Sequence, residues 1–479
     1  MAEQERLNET KTADAPRSTA DAPRLTADAP RLTADAPRID RPSKGLLEHV
    51  PVPRAMALAV QHVIAMVVGC ITVPIIASTA AGLDNTGRVT MIQASLLAAG
   101  LAILIQSLDQ KRFVGASLPL VVGSGFAFIA VMSSIGAHFG ISAVFGAQFV
   151  AALFGIVFGL LYRYLQYIFT PVVKAVVVMT IGISLSATAV DYIAGSVNSR
   201  FYGTPKSWAL GIFTLVVTLL YAHYGRGFIK RASTLMGLAT GYIVALIFNL
   251  VHFESMEGQV VFQIPRIFHF GLSFHLEAIV PFMIIALISA VQDMGQIAAT
   301  VHGLYGREPQ VAEVRGGIIG DCVGTLFGSL FGGTPNAIAG QNVGIVVTTR
   351  VVARSVFVSA GLMLIVNGFF PIVSAAFLTI PYSVLGGATV AVFGSIATTG
   401  MKMLASTGMT PRNMSIAGLS LSLAIGITYH SDAFSRFPTW VMTIFGNAIV
   451  VATLAAILLN VFLPKEKEVE AKDQAKAQR

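Results

Sequence analysis

The chain begins with a polar stretch and then, from Arg54 onward, alternates long apolar runs with short polar breaks. A membrane-spanning helix takes about 20 mostly apolar residues. Runs of that kind fall near 55–78, 90–107, 113–136, 140–164, 170–195, 207–224, 232–251, 276–302, 314–332, 337–350, 353–373, 377–400, 413–429 and 438–463. The pattern predicts an all-α polytopic membrane protein of fourteen spans. The third, ninth and tenth runs are Gly-rich and short in continuous apolar residues, as discontinuous helices are.

Fourteen spans divided seven plus seven suit an inverted repeat, because an odd half re-enters the membrane from the opposite side. The glycine-interrupted third span of each half then occupies a matching position, which points to a binding site near the midplane. The repeat is read from hydropathy, with no convincing residue identity between the halves.

Composition agrees with the membrane class. Apolar residues make up 54% and charged residues 12%, where a soluble domain carries about a quarter charged. With the N-terminus inside, the inner loops carry Lys111, Arg112, Arg163, Arg226, Lys230, Arg231, Arg307, Arg315, Arg350, Arg354, Lys402 and Arg412. The outer loops carry Arg88, Arg200, Lys206, Arg266 and Arg436. This bias places both termini in the cytoplasm of a cell whose inner (plasma) membrane holds the chain. The net charge of +8 is thus a topology signal and not a nucleic-acid signal. Cys70 and Cys322 both sit in apolar runs and read as small buried hydrophobes.

Residues 1–53 are different in kind. TADAPR occurs at 12–17, 19–24, 26–31 and 33–38. A proline in every copy rules out a coiled-coil heptad, and the near absence of large apolar residues predicts a disordered cytoplasmic tail. The transporter proper is expected over 54–464, followed by a charged cytoplasmic tail at 465–479 with no substantial soluble domain.

Polar residues inside the spans carry the functional reading, since burying them at membrane depth is costly without partners. The first span has Gln61 and His62. The third holds Pro119, Gly123, Ser124, Gly125 and Phe126, where proline and paired glycines favour broken backbone beside an aromatic face. The eighth sets Gln292, Asp293 and Gln296; the two glutamines are four apart on one helix face and Asp293 points away from Gln292 by about 100°. Asp321 stands alone in the ninth. The segment Gly340 to Arg350, GQNVGIVVTTR, places Gln341 and Asn342 between Gly340 and Gly344 in the tenth. Each has a structural alternative: His62, Gln61 and Gln296 as interhelical hydrogen bonders, Phe126 as packing, Asp293 as a salt-bridge partner. An intramembrane carboxylate such as Asp321 is functional by default.

No enzyme constellation appears. His62 has no neighbouring Cys or Glu at metal-ligand spacing, Gly123-Ser124-Gly125 lacks the flanks of a nucleophile elbow, and there is no P-loop. No cofactor or metal is expected, and the chain reads as a secondary transporter driven by an ion gradient.

GQNVGIVVTTR resembles the signature of the nucleobase–ascorbate transporter family, also called nucleobase:cation symporter family 2: Gln/Glu/Pro, Asn, any residue, Gly, four residues, Thr, Arg/Lys/Gly. Gln341, Asn342, Gly344, Thr349 and Arg350 match it without a mismatch, and Gln61-His62 matches a second hallmark. The similarity covers about 50–465. It implies a core domain of spans 1–4 and 8–11 (about 54–165 and 276–373) and a gate domain of spans 5–7 and 12–14 (about 169–251 and 377–464). It also implies short strands in spans 3 and 10 with substrate between them, a homodimer, and elevator-like movement. Carried over by position, Gln341 and the peptide groups beside it, including Gly340 and Gly125, would bind the base edge. Asn342 would support them, Phe126 would stack on the ring, and His62, Asp321, Asp293 and Gln296 would form a polar network tied to proton coupling, with sodium as the other candidate ion.

One departure stands out. The family typically places a base-binding glutamate in the eighth span, where this chain has Gln292 followed by Asp293. An amide donates and accepts, whereas an ionised carboxylate only accepts. The loss of a charge suits an anionic ligand such as urate or xanthine monoanion, and leaves Asp321, Asp293 or His62 to carry a proton. Gln341 and the segment IPYSVLGGATVAVFGSIATTG resemble the xanthine and urate branch. The other readings are a uracil or ascorbate transporter of the same family, an inorganic-anion transporter of the same fold, and a non-transporting membrane sensor using the repeat tail.

Overall fold

The computed structural model describes residues 50–107, 113–197 and 199–464. The expectations for the repeat tail, for Lys111 and Arg112, and for the C-terminal tail lie outside these residues.

Proline and threonine start many of the helices. Proline suits the first helical turn, where its missing N–H has no intrahelical partner to lose. Helix α1, Val52–Ala80, begins this way and is followed by α2, Asn85–Ser107. After the broken third segment come α3, Ile129–Phe139, and α4, Ile141–Leu165. Thr170-Pro171 opens α5, Pro171–Ile193, and Thr204-Pro205 opens α6, Pro205–Tyr224, with the Thr204 hydroxyl accepting from the Ser207 N–H. A four-residue turn, α7 (Phe228–Arg231), leads to α8, Ser233–Ile247.

The second half runs through α9, Leu276–Tyr305, α10, Val311–Phe331, α11, Gly340–Thr349, and α12, Arg354–Gly368. Then follow α13, Pro371–Leu378, α14, Tyr382–Ser406, α15, Pro411–Tyr429, α16, Thr439–Phe445, and α17, Ala448–Phe462. Glu313 in the first turn of α10 accepts the Gln310 N–H at 2.8 Å and holds Arg307 with two bonds of 2.6 and 2.9 Å.

Among the described residues, eight helices are long and apolar enough to cross a membrane, and a ninth crossing results if α12 and α13 count as one despite a bend of 84°. Shorter apolar helices lie at Phe126–Phe139, Ser233–Ile247 and Ala448–Phe462. The fold is therefore a mostly helical, multi-pass membrane architecture. Some segments differ from simple rods. The stretch expected to be one helix at 438–463 divides at Asn447, whose side-chain oxygen accepts the N–H groups of Ile449 and Val450 and so starts a new helix. The stretch expected at 113–136 has no helix before Phe126.

Two three-residue strands replace helix in the middle of the chain: β1, Val122–Ser124, and β2, Asn336–Ile338. They pair antiparallel, with Val122 opposite Ile338, Gly123 opposite Ala337 and Ser124 opposite Asn336. Gly332, at φ +85°, ends α10 in a left-handed turn and releases the chain into β2.

Extended backbone inside a bilayer survives only if its polar groups find partners within the protein. Those partners are present. The Gly125 N–H donates to the Pro335 carbonyl at 2.8 Å and the Ala339 N–H to the Val121 carbonyl at 2.9 Å. The Thr325 hydroxyl accepts the Asn336 N–H at 2.9 Å, and the Ser95 hydroxyl accepts the Thr334 N–H at 2.9 Å. The Gln148 amide donates to the carbonyls of Thr325 and Gly333, each at 3.0 Å. Side chains of α2, α4 and α10 thus hold the strand pair.

Around it, α2 packs on α12 and α4 on α10, while α14 packs on α5 and α6. The α5–α14 seam is close enough that a Cβ at Gly182 would strike the α14 backbone and one at Gly400 the α5 backbone.

Candidate functional site

The strands stop where new helices start. A short 3-10 turn, Phe126–Phe128, follows β1, and α11 follows β2 at Gly340. Both helix starts border one small pocket of about 30 Å³. It is lined by Met66 and Gly69 of α1, Gly123, Ser124 and Phe126, Gln292 and Gln296 of α9, Ala337 to Gln341, and Ile396 of α14. Helix N-termini present unpaired N–H groups and a partial positive charge, which favours electron-rich or anionic ligands.

Polar groups in the pocket are unsatisfied by the protein. Gln292 and Gln296 are buried, and the amide oxygen of each lacks a hydrogen-bond partner. Gln341 is half-buried, and its amide nitrogen makes only a long contact of 3.5 Å to the Ala65 carbonyl. Three amides therefore face one space with spare donors and acceptors. Among the described residues, no carboxylate lines it. Phe126 forms one wall, its ring edge-on to Phe393 of α14 at 5.1 Å between centroids. The nearest atoms to a Cβ added at Gly69 belong to this ring, at 3.2 Å.

A far larger cavity, about 840 Å³, leads to this pocket. The two share Gln296, Gly340, Gln341 and Ile396. Farther out the large cavity is lined by His223, Lys230, Arg231 and Lys402, with no acidic side chain lining it among the described residues. The lining is thus a positive funnel ending at the amides.

The remaining candidates lie just behind the pocket. Asn342 is buried and points away from it, donating to the His62 carbonyl at 2.9 Å and meeting the His62 Nδ1 at 3.2 Å. The His62 ring lies 5.2 Å from Phe357 of α12. Gly125 begins the 3-10 turn, and a Cβ there would meet the Phe128 ring at 2.8 Å. Asp293 accepts the Ile338 N–H of β2 at 2.8 Å, and Asp321 of α10 lines a second small cavity together with Asp293.

Of the residues singled out from the sequence, Gly123, Ser124, Phe126, Gln292, Gln296, Gly340 and Gln341 line the pocket itself. Gly125, Asn342, His62, Asp293 and Asp321 surround it without lining it. Sequence reasoning missed Met66, Gly69 and Ile396. In sequence these look like ordinary apolar span residues, and only the interior glycine at 69 signals a close approach to an aromatic ring.

Broken spans meeting at a polar pocket, inside a bundle of apolar helices and at the head of a cavity, define a membrane transporter. The chain belongs to the nucleobase–ascorbate transporter family: the Xan_ur_permease model, described as a permease family, matches residues 53–433. It is 32% identical to a xanthine permease of Bacillus subtilis, covering 87% of this chain and 96% of the relative. It is 34% identical to a uric acid permease of the same organism, covering 85% and 95%, and 29% identical to a uric acid transporter of Escherichia coli, covering 88% and 89%. Among solved structures, the fold is similar to the transmembrane domain of the cyanobacterial bicarbonate transporter BicA. The TM-score is 0.55 at 16% identity, covering 86% of this chain and 99% of that one. Murine Slc26a9, an anion transporter solved in an inward-facing state, matches with TM-score 0.55 at 13% identity, covering 88% and 72%.

Proposed function

We propose that this chain is a secondary active transporter that imports a purine nucleobase, xanthine or urate, across the inner (plasma) membrane by proton symport. The observation that carries the reading is the set of Gln292, Gln296 and Gln341 with their spare amide groups, beside Phe126 and between two helix starts. A flat heterocycle needs stacking and a few aimed hydrogen bonds. Oxopurines offer ring N–H donors to the amide oxygens and carbonyls to the amide nitrogens. The names of the relatives, xanthine and uric acid permeases, point the same way.

The charge pattern favours an anion. A carboxylate at position 292 would repel urate, which is a monoanion at neutral pH, and burial would strengthen that repulsion. Gln292 removes it, and Lys230, Arg231 and Lys402 draw anions into the cavity.

In this reading the chain has fourteen spans as a seven-plus-seven inverted repeat. Spans 1–4 and 8–11 form the core domain and spans 5–7 and 12–14 the gate. Phe126 of the core meets Phe393 of the gate and lines the pocket with Ile396, so sliding the core against the gate opens and closes the pocket in an elevator-like cycle. The large cavity opens to the cytoplasm, both termini are cytoplasmic, and the protein works as a homodimer in the lipid bilayer. Uptake of radiolabelled urate into proteoliposomes tests the reading. Unlabelled xanthine should compete and uracil, ascorbate, sulfate and bicarbonate should not. Competition by sulfate or bicarbonate and not by purines would assign the chain to inorganic anions instead.

A further inference from the structure

A further cavity, of about 260 Å³, lies where the segment joining α8 to α9 crosses the helix bundle. Among the described residues, every lining side chain is apolar and none is shared with the amide pocket. The walls are Leu97 and Leu101 of α2, Phe327 and Phe331 of α10, and Ile365 and Phe369 at the end of α12. Ile264 and Pro265 of the joining segment also line it. Phe327 is 40% exposed and Ile264 67%, so the cavity opens at the surface of the bundle.

Residues 257–275 of the joining segment contain no helix, yet they are pinned across helix ends. The Gln263 N–H donates to the Phe369 carbonyl at 2.9 Å, the Phe268 N–H to the Leu330 carbonyl at 2.6 Å, and the Ser273 N–H to the Ser142 carbonyl at 3.0 Å. These bonds lay the segment over the ends of α12 and α10 and the start of α4. Val261, Phe262, Ile267 and Phe268 remain more than half exposed. An exposed apolar row on a fixed, non-helical segment suits the bilayer interface and not water. In the midst of the row stands Arg266, exposed and next to the cavity residue Pro265. Among the described residues it has no hydrogen-bond or ion-pair partner. From Gly258 to His275 the chain has no Asp, Glu or Lys.

We propose that this cavity is a binding site for an anionic phospholipid, with one acyl chain between α2, α10 and α12 and the phosphate on Arg266. An apolar cavity stays dry and takes an apolar guest, and about 150 Å³ already admits benzene. In a bilayer the apolar guest at hand is an acyl chain. A purine is excluded, because its polar edge would find no partner on these walls. The guanidinium fork matches a phosphate, and no acidic side chain of the segment competes for it. In the orientation proposed above, the lipid belongs to the outer leaflet. The site also backs the substrate pocket: Ala98 lines the cavity, and its carbonyl accepts the Asn336 side-chain amide of β2 at 3.2 Å. A seated acyl chain therefore supports the face of α2 that holds the strand pair.

The test places purified full-length protein in phosphatidylcholine vesicles doped with a phosphatidylglycerol that carries a photoactivatable diazirine in its acyl chain. Peptide mass spectrometry then locates the crosslinks. They should concentrate on residues 94–101, 264–265 and 327–331. Unlabelled phosphatidylglycerol should displace the probe about fivefold better than added phosphatidylcholine, the weight of one basic residue at an anionic lipid surface. Arg266→Gln should remove that advantage. Leu101→Trp fills the cavity, and Ile264→Asp puts a charge at its exposed edge without touching buried residues. Each should lower crosslinking at these peptides several-fold and leave crosslinks elsewhere on the chain unchanged. Crosslinks spread evenly over the lipid-facing helices overturn the proposal, as do crosslinks that persist in both filling and charge variants. Equal displacement by the two lipids overturns the role of Arg266. A wild-type cavity that gathers no crosslinks, with Leu101→Trp turning a dimer into a monomer, would give the cavity to a second copy of the chain instead.

Discussion

The side-chain amide of Asn342 reaches two atoms of His62 at once, the backbone carbonyl at 2.9 Å and the ring Nδ1 at 3.2 Å. One buried amide thereby ties the first turn of α11 to the middle of α1. Gln341 immediately precedes Asn342 on α11, so its aim into the pocket depends on this tie. Two neutral hydrogen bonds contribute about 1 kcal/mol each, and about 1.4 kcal/mol is tenfold in affinity. Asn342→Ala should weaken urate binding by roughly tenfold or more, measured as the concentration giving half-maximal uptake. Unchanged affinity would show that the tie does not position the site.

Gln292 decides charge selectivity in this account. Gln292→Glu places a carboxylate in a pocket that has none. Urate uptake should fall relative to a neutral purine such as guanine, read as a ratio of uptake rates at neutral pH. A ratio equal to that of the wild type would remove the charge argument.

Two glycines of the GQNVG segment should behave differently. A Cβ at Gly340 would sit 2.9 Å from the Gln296 amide nitrogen, whereas one at Gly344 would meet nothing within 4 Å. Gly340→Ala should displace Gln296 and reduce urate affinity several-fold. Gly344→Ala should leave affinity within about twofold. Equal effects in competition assays would contradict this geometry.

Glu313 offers a test of stability separate from the pocket. It is fully buried and joins Arg307 and the Gln310 N–H at the start of α10. Charge-assisted bonds of this type contribute about 1–3 kcal/mol, with part of the Arg307 side screened by solvent. Glu313→Gln should lower the melting temperature of the detergent-solubilised protein and leave the xanthine-to-urate preference unchanged. An unchanged melting temperature would show that the pair adds nothing.

Much of this architecture is legible in the sequence, for reasons specific to the bilayer. Long apolar runs have few alternatives to helices, and Gln341 and Asn342 stand out because amides are rare there. Other features depend on partners far apart in the chain. The convergence of Asp293 and Asp321 on one small cavity, and the pairing of Val122 with Ile338, exist only once α9, α10 and the strands have come together. Met66 and Ile396 are indistinguishable in sequence from lipid-facing or core residues, and Gly69 signals only a close approach. The break at Asn447 was masked by the apolar run on both sides, where capping by a single side chain overrides hydropathy.

The central claim is that the amide pocket beside Phe126 binds a purine anion for proton-coupled import. Radiolabelled urate uptake into proteoliposomes, with and without an inward proton gradient and with unlabelled competitors, tests it most directly. The account predicts accumulation above equilibrium only with the gradient, blocked by xanthine and insensitive to sulfate and uracil. Uptake that ignores the gradient, or that purines fail to block, would contradict it.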